Sequence, residues 1–272
     1  MLIPNNWIMV SEDFGLFGPA SVTWRIHGDP ASLIGGLRAL LIQALKPQAM
    51  AAVDQHSDFR TDPWGRLRRT SDYLVATTFG DTATAHQWGA RVRAVHRRVR
   101  GVDPVTGLPY RADDPELLLW VHAVEVHSFL KAYRQYAGPV SDVDADRYVR
   151  EMVAAAELVG LDRDDVPQNL ADVRAYLRSQ ELVMSPAARE GMRYVISPPL
   201  PVYARPFWTI PAMAAIAILP GKVRTLYGLP WIPGAQYPIR GQIFALLRVL
   251  NTALPPPVRI RRALDRARAA AA

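Results

Sequence analysis

Apolar residues recur along most of the chain at spacings of three and four, the period of a helix rather than of a strand. Residues 32–51 carry Leu33, Leu37, Leu40, Leu41, Ala44 and Leu45 on this pattern until Pro47 interrupts it. A second stretch runs from Trp64 to Phe79 and ends near Gly80. A third starts at Asp81 and Thr82, both good N-caps, and continues through Arg100 to Gly101. Asp114-Pro115-Glu116 opens the next, with proline at the first helical position and an acidic first turn; it runs to about Tyr136. Residues 141–159 follow, with Asp142 and Asp144 early and Gly160 just past the end. Shorter helices are predicted over 170–180, 185–193 and 241–250, with proline-rich loops over 195–206 and 228–238. Strand-like alternation is scarce. The expected fold is all-α: one helical domain over residues 1–258 and a basic, exposed or disordered tail over 259–272.

The most apolar run, Phe207 to Leu219, has Pro211 inside it and Pro220 after it. It is too short to span a bilayer and is expected to be a buried helix, with contact at a membrane surface as the lesser alternative. The first residues, MLIPNNWIMVSEDFG, lack the charged start and clean apolar stretch of a signal peptide, so a cytoplasmic protein is expected, peripheral to a membrane if that contact is made.

Composition narrows the chemistry. The chain has no cysteine, which excludes disulfides, cysteine-held zinc, iron–sulfur clusters, thiolate-ligated haem and thiolate catalysis. Any metal must sit on histidine, carboxylate or tyrosine. The net charge of +7 is concentrated in two arginine clusters, at 91–100 and 259–268, and the remainder is slightly acidic. That distribution lacks the broad basic stripe with aromatics of a nucleic-acid binder, so none is expected as a partner.

Six histidines are the candidate ligands: His27, His56, His86, His96, His122 and His127. No zinc-type HExxH pair, GxGxxG, phosphate-binding loop or GxSxG elbow is present. His122 and His127 lie five apart, about 140° around a helix, a poor arrangement for one ion. His96 is the informative one. On a continuous helix Val92, Val95, His96 and Val99 share an apolar face, and Arg93, His96 and Arg100 fall within about 60° of arc. Haem explains this set: an apolar wall for the macrocycle, an imidazole for the iron and arginines for the propionates. On these residues alone a hydrogen-bonded core histidine beside a solvated arginine face is the commoner explanation. In RLRRT, Arg66 and Thr70 face the same way next to Arg69, and could close a polar pocket or be surface arginines beside a threonine bonded to its own backbone.

These stretches, in this order, resemble the MpaB oxygenase family, which includes the latex clearing proteins, or rubber oxygenases. The resemblance rests on GGLRALLIQALKPQAMAAVDQHSDF, RLRRTSDYL, RVRAVHRRVRG with DPVTGLPYRADDPELLLWVHAVEVHSF, and AILPGKVRTLYGLPW, from about Gly35 to Trp231. It implies a globin-like helical core holding haem b, with His96 as the proximal iron ligand, Arg93 and Arg100 as its flanking arginines, and Arg66 and Thr70 as the pocket pair. Latex clearing proteins carry a lysine just before that threonine, where this chain has Arg69, and a distal glutamate for which Met50 to His56 offers no clear equivalent. His56 is either a distal acid/base or an anchor of the helix junction, and the anchoring role is favoured. Tyr110, Asp113 and Trp120 are read as anchors of loop and core.

The resulting expectation is a haem b oxygenase or peroxidase-like oxidoreductase that uses dioxygen or peroxide on a hydrophobic small molecule. Arg66, Arg69, Thr70 and His56 are its candidate catalytic groups. The alternatives are a haem-binding sensor or carrier without turnover, and a haem-free helical interaction protein.

Overall fold

The computed structural model describes residues 13–229, with Gly241, Ile243, Leu247, Ile260, Arg261, Ala263 and Asp265 beyond them. Eleven α-helices are described: α1 (Val22–His27), α2 (Ala31–Gln43), α3 (Pro47–His56), α4 (Pro63–Phe79), α5 (Thr82–His96), α6 (Pro115–Tyr136), α7 (Asp142–Val159), α8 (Leu170–Ser179), α9 (Pro186–Ile196), α10 (Arg205–Ala217) and α11 (Gly221–Tyr227). A single small hairpin, β1 (Arg100–Val102) against β2 (Pro109–Arg111), interrupts them. The chain is about 69% helical, and the all-α fold is as expected.

Caps drawn from the sequence set the helix ends. Asp114 caps α6 by accepting from Glu116 N at 2.9 Å, and Ser141 caps α7 by accepting from Asp144 N at 3.0 Å. Gly160 closes α7 at φ +107°, a left-handed conformation that favours glycine.

The centre of the fold is the crossing of α2 and α6. A Cβ on Gly35 would lie 2.9 Å from the Cα of Phe129 and 2.8 Å from its ring, so only glycine lets the two backbones approach this closely. Arg38, one turn later, is buried in the same crossing. It donates to Ser128 Oγ at 2.6 Å, to Ile218 O at 3.0 Å and to His127 Nδ1 at 3.3 Å. At the far end Gln43 donates to Val121 O at 3.1 Å, and Trp120 donates to Gln43 O at 3.2 Å. On one side α1, α7 and α8 pack over Val126, Phe129 and Leu130; on the other α10 rests on α2 through Ala214 and Ala215. His27, in the first of these layers, is bonded at both ring nitrogens, to Tyr148 OH at 2.8 Å and to Thr78 Oγ1 at 3.2 Å.

Three expectations change. The third predicted helix stops at His96, not Arg100; Arg97 is its C-cap, and Arg100 belongs to β1. The cause lies downstream, where Asp103 organises a tight turn by accepting from Val105 N and Thr106 N, each at 3.1 Å, so that Val99 to Val102 extends to meet residues 109–112. The run 207–219 is only partly buried. Its small residues Ala212, Ala214 and Ala215 face inward, while Phe207 is 79% exposed and Ile210 and Met213 also face outward. The tail is not wholly exposed either: Ile260 and Ala263 are helical and buried against Trp24 and Phe79. The rest of the tail, most of the predicted helix 241–250 and loop 228–238, and the first twelve residues lie outside the described residues.

The two adjacent glycines of α2 give a direct test of the crossing. Gly35→Ala is expected to destabilise by about 1–3 kcal/mol through overpacking. Gly36→Ala, where a Cβ meets nothing within 4 Å, is expected to be neutral or to stabilise by up to about 1 kcal/mol. Urea denaturation of both variants reads the difference.

Candidate functional site

The pair α4 and α5 forms an antiparallel hairpin, because only Gly80 and Asp81 separate them. Asp62 caps α4 through Gly65 N at 2.8 Å, and Gly65 is required there, since a Cβ would sit 1.8 Å from Asp62 Oδ2. Asp81 caps α5 through Thr84 N at 2.7 Å. The start of α4, with Arg66 and Thr70, is therefore level with the end of α5, with Arg93 and His96.

His96 is the last residue of α5 and is half-buried. Its Nδ1 is buried and makes no hydrogen bond. Burial lowers its pKa, with the Asp113 carboxylate acting in the opposite direction, so the ring is held neutral with a lone pair available. A buried ring nitrogen without a hydrogen-bond partner is costly in a packed core. The wall around it differs from the expected one, since Val95 is 57% exposed and does not share its face.

The arginines separate into different roles. Arg66 is half-buried, burial and the neighbouring Arg69 charge lower its pKa, and no described carboxylate pairs with it. Thr70 donates its hydroxyl proton to Arg66 O at 3.1 Å, which leaves the oxygen free to accept. Arg69 is exposed and pairs with Asp62 at 3.2 Å. Arg93 bonds Leu158 O, tying α5 to the last turn of α7. Arg100 lies on the hairpin rather than on the helix of His96, and its Nε donates to Arg97 O at 3.1 Å. The structure thus brings Arg66, Thr70, Arg93 and His96 to one end of the α4–α5 pair and sets Arg69 and Arg100 at its surface.

His56 ends α3, and its Nε2–H donates to Arg100 O at 3.1 Å, edge-on to the ring of Tyr110. Tyr110 donates to Gln55 Oε1 at 2.8 Å, and Asp113 pairs with Arg111 at 3.0 Å. These contacts fasten the hairpin that follows His96, in line with the anchoring reading of all three. Among the rival ligands, His122 is buried with its pKa lowered to about 4. His127 accepts from Arg38, and burial together with nearby cations lowers its pKa to about 3. Among the described residues no three His, Asp or Glu side chains converge to hold a bare metal ion.

Sequence reasoning missed Glu125 and Tyr73. Glu125 sits within the apolar run VHAVEVHSF of α6, and burial raises its pKa to about 7 against the hydrogen bond of Gln43. Tyr73, on α4 one turn beyond Thr70 and Arg69, has its pKa raised by burial and by Glu125, with Arg93 acting in the opposite direction. Tyr73 on α4 therefore lies within reach of both the Glu125 charge on α6 and the Arg93 charge on α5. The available signal was an acid with apolar residues on both sides in a helix otherwise patterned as core.

Fold and site together define an all-helical protein with a neutral imidazole, unpaired cations and a protonatable carboxyl grouped around one helical hairpin. Residues 24–252 match the family described as ER-bound oxygenase mpaB/B'/Rubber oxygenase, catalytic domain, and the chain belongs to that family. Uncharacterized proteins of Mycobacterium tuberculosis and Mycobacterium bovis are each 27% identical to it over 202 residues, 71% of this chain and 76% of their own. No solved structure matches it. Among the described residues no helix is long and apolar enough to cross a membrane.

Glu125 makes a pH prediction. The folded carboxyl binds its proton more tightly than the unfolded one, so its contribution to stability is complete below about 4.5 and lost as pH rises through about 7. Relative to Glu125→Gln, the wild type is expected to lose stability on the order of 3 kcal/mol between pH 4.5 and 8. Thermal melts of the two proteins across that range check it; a constant difference would show that Glu125 keeps an ordinary pKa.

Proposed function

We propose that the chain is a haem b-dependent oxygenase acting on a hydrophobic small molecule, with His96 as the protein ligand to the iron. The observation that carries this is a half-buried His96 at the end of α5, its pKa lowered by burial, in a chain of an oxygenase family. Haem supplies four nitrogen ligands itself and needs only one or two from protein, which fits a lone histidine better than a bare ion would.

The residues present suit the group. Arg66 has no carboxylate partner among the described residues, and Arg93 and Arg100 flank His96 in sequence from two different elements. Arg93 and Arg100 are assigned to the two propionates, by charge-assisted pairing at opposite edges of the α5 terminus. Bound haem would supply the redox chemistry that activates dioxygen, or peroxide in a peroxidase-like variant. Arg66 and the Thr70 hydroxyl, both polar and partly shielded from water, orient the oxidant by hydrogen bonding. Glu125, with a pKa near 7, holds or releases a proton at neutral pH, and the Gln43 amide fixes its position. Arg69, next to Thr70, and His56, on the anchor of the following hairpin, complete the polar set of the proposal. The hydrophobic substrate is carried over from the rubber oxygenases named in the family description.

Protein purified from haem-replete cells is expected to show a Soret band that His96→Ala abolishes or strongly weakens while the far-ultraviolet circular dichroism stays helical. A wild type with no band ends the proposal. An unchanged band in the variant moves the ligand to another histidine, such as His122 or His127.

A further inference from the structure

A cavity lies between α2, α6, α8 and α11, on the side of α6 that carries Trp120, Val124 and His127. Its volume is 380 Å³, within the range of about 300–1,000 Å³ typical of small-ligand sites. None of its lining residues belongs to the His96 group. The floor is apolar, made by Ile42, Trp120, Val124, Leu177, Leu182 and Val223. The walls are cationic: Arg38, Arg174, Arg178 and Lys222, with no aspartate or glutamate among the lining residues.

Arg38 distinguishes this cleft from a patch of surface arginines. It is 1% exposed, and its three hydrogen-bond partners, Ser128 Oγ, Ile218 O and His127 Nδ1, are all neutral. A guanidinium carries five N–H donors, so three bonds leave two of them over. Burial lowers its pKa to about 9, with no carboxylate acting to raise it. Taking an unpaired cation out of water costs several kcal/mol, and methionine or leucine would fill the same helix position without that cost. The surrounding field has one sign. Lys131 and His127 on α6 both have their pKa values lowered, first by burial and then by Arg38 and Arg174, and for Lys131 by Arg134 as well. Cations on α2, α8 and α11 thus line a shared space with no carboxylate among its lining residues.

We propose that this cleft binds an amphiphilic anion, its carboxylate or phosphate head on Arg38 with Arg174 and Lys222, and its hydrocarbon chain on the Trp120–Val124 floor. The head supplies the missing countercharge, and the chain accounts for an apolar floor that a free inorganic anion would not need.

The test is isothermal titration of the purified protein with dodecanoate, dodecyl phosphate, dodecanol, dodecyltrimethylammonium and inorganic phosphate, each below its micellar concentration. One dodecanoate or dodecyl phosphate per chain is expected, and which of the two binds more tightly identifies the head. Dodecanol, the ammonium amphiphile and inorganic phosphate should each bind at least tenfold more weakly. Arg174→Glu and Lys222→Glu lie at the rim, are expected to fold normally, and should each lower affinity tenfold or more while leaving the melting temperature and any Soret band unchanged. Arg38→Met should abolish head-group preference, and the rim variants decide the matter if it fails to fold. Absence of binding by both anionic amphiphiles, equal binding of dodecanol, or unchanged affinity in both rim variants overturns the proposal. A wild type without haem that still binds dodecanoate leaves this site standing while ending the haem reading.

Discussion

The close crossing of α2 and α6 is the constraint on which the rest depends. It exists because Gly35 presents no side chain to Phe129, and it fixes the rotation of α6 about its own axis. With that rotation set, Val126, Phe129 and Leu130 must face α1, α7 and α8, and Trp120 and Val124 must face the basic cleft. Glu125 then lies close enough for its charge to raise the pKa of Tyr73 on α4 and of Tyr148 on α7. One glycine thereby orients both polar regions of the molecule. The two hydrogen bonds of Arg38 to Ser128 and His127 and the two at Gln43 lock the same register from either end of the contact. A slip of α6 by one residue would break all of them together, which makes the register cooperative rather than merely hydrophobic.

Helix boundaries were legible wherever a side chain supplies the cap. Asp114-Pro115-Glu116, Ser141 and Gly160 mark ends that the structure keeps, because the cap and the orphaned backbone groups it satisfies are close in sequence. Arg100 was misplaced for the converse reason. VHRRVRG has an unbroken helical period, and what ends α5 is the turn built by Asp103 and the pairing of Gly101 with Tyr110, contacts that local periodicity does not encode. The apolar face drawn through Val95 failed with it. Phe207 likewise reads as core by hydropathy, yet the neighbouring alanines are the residues that fit against α2, and the large side chain is left outside.

Of the site, His96 could be singled out from its neighbours in sequence, whereas Glu125 and Arg38 could not. Both sit within apolar helices where a single charge looks like a tolerated interruption of the core pattern. Their significance comes from partners on other elements: Gln43 and Tyr73 for Glu125, Ser128 and Ile218 for Arg38. A sequence shows that a charge is surrounded by apolar neighbours along one helix. It does not show which wall that charge meets across the bundle.

The two faces of α6 handle buried polarity in opposite ways. On the Glu125 side, burial removes charge, since it holds His96 neutral and raises the carboxyl to about 7. A region poised between protonation states near neutral pH suits chemistry that moves protons. On the Arg38 side the charge persists, because even the lowered guanidinium stays protonated at neutral pH, and the neighbouring cations disfavour one another. A field of that kind lowers its energy by capturing an anion rather than by exchanging a proton. The same helix thus carries a carboxyl with a raised pKa on one face and persistent cations beside the other.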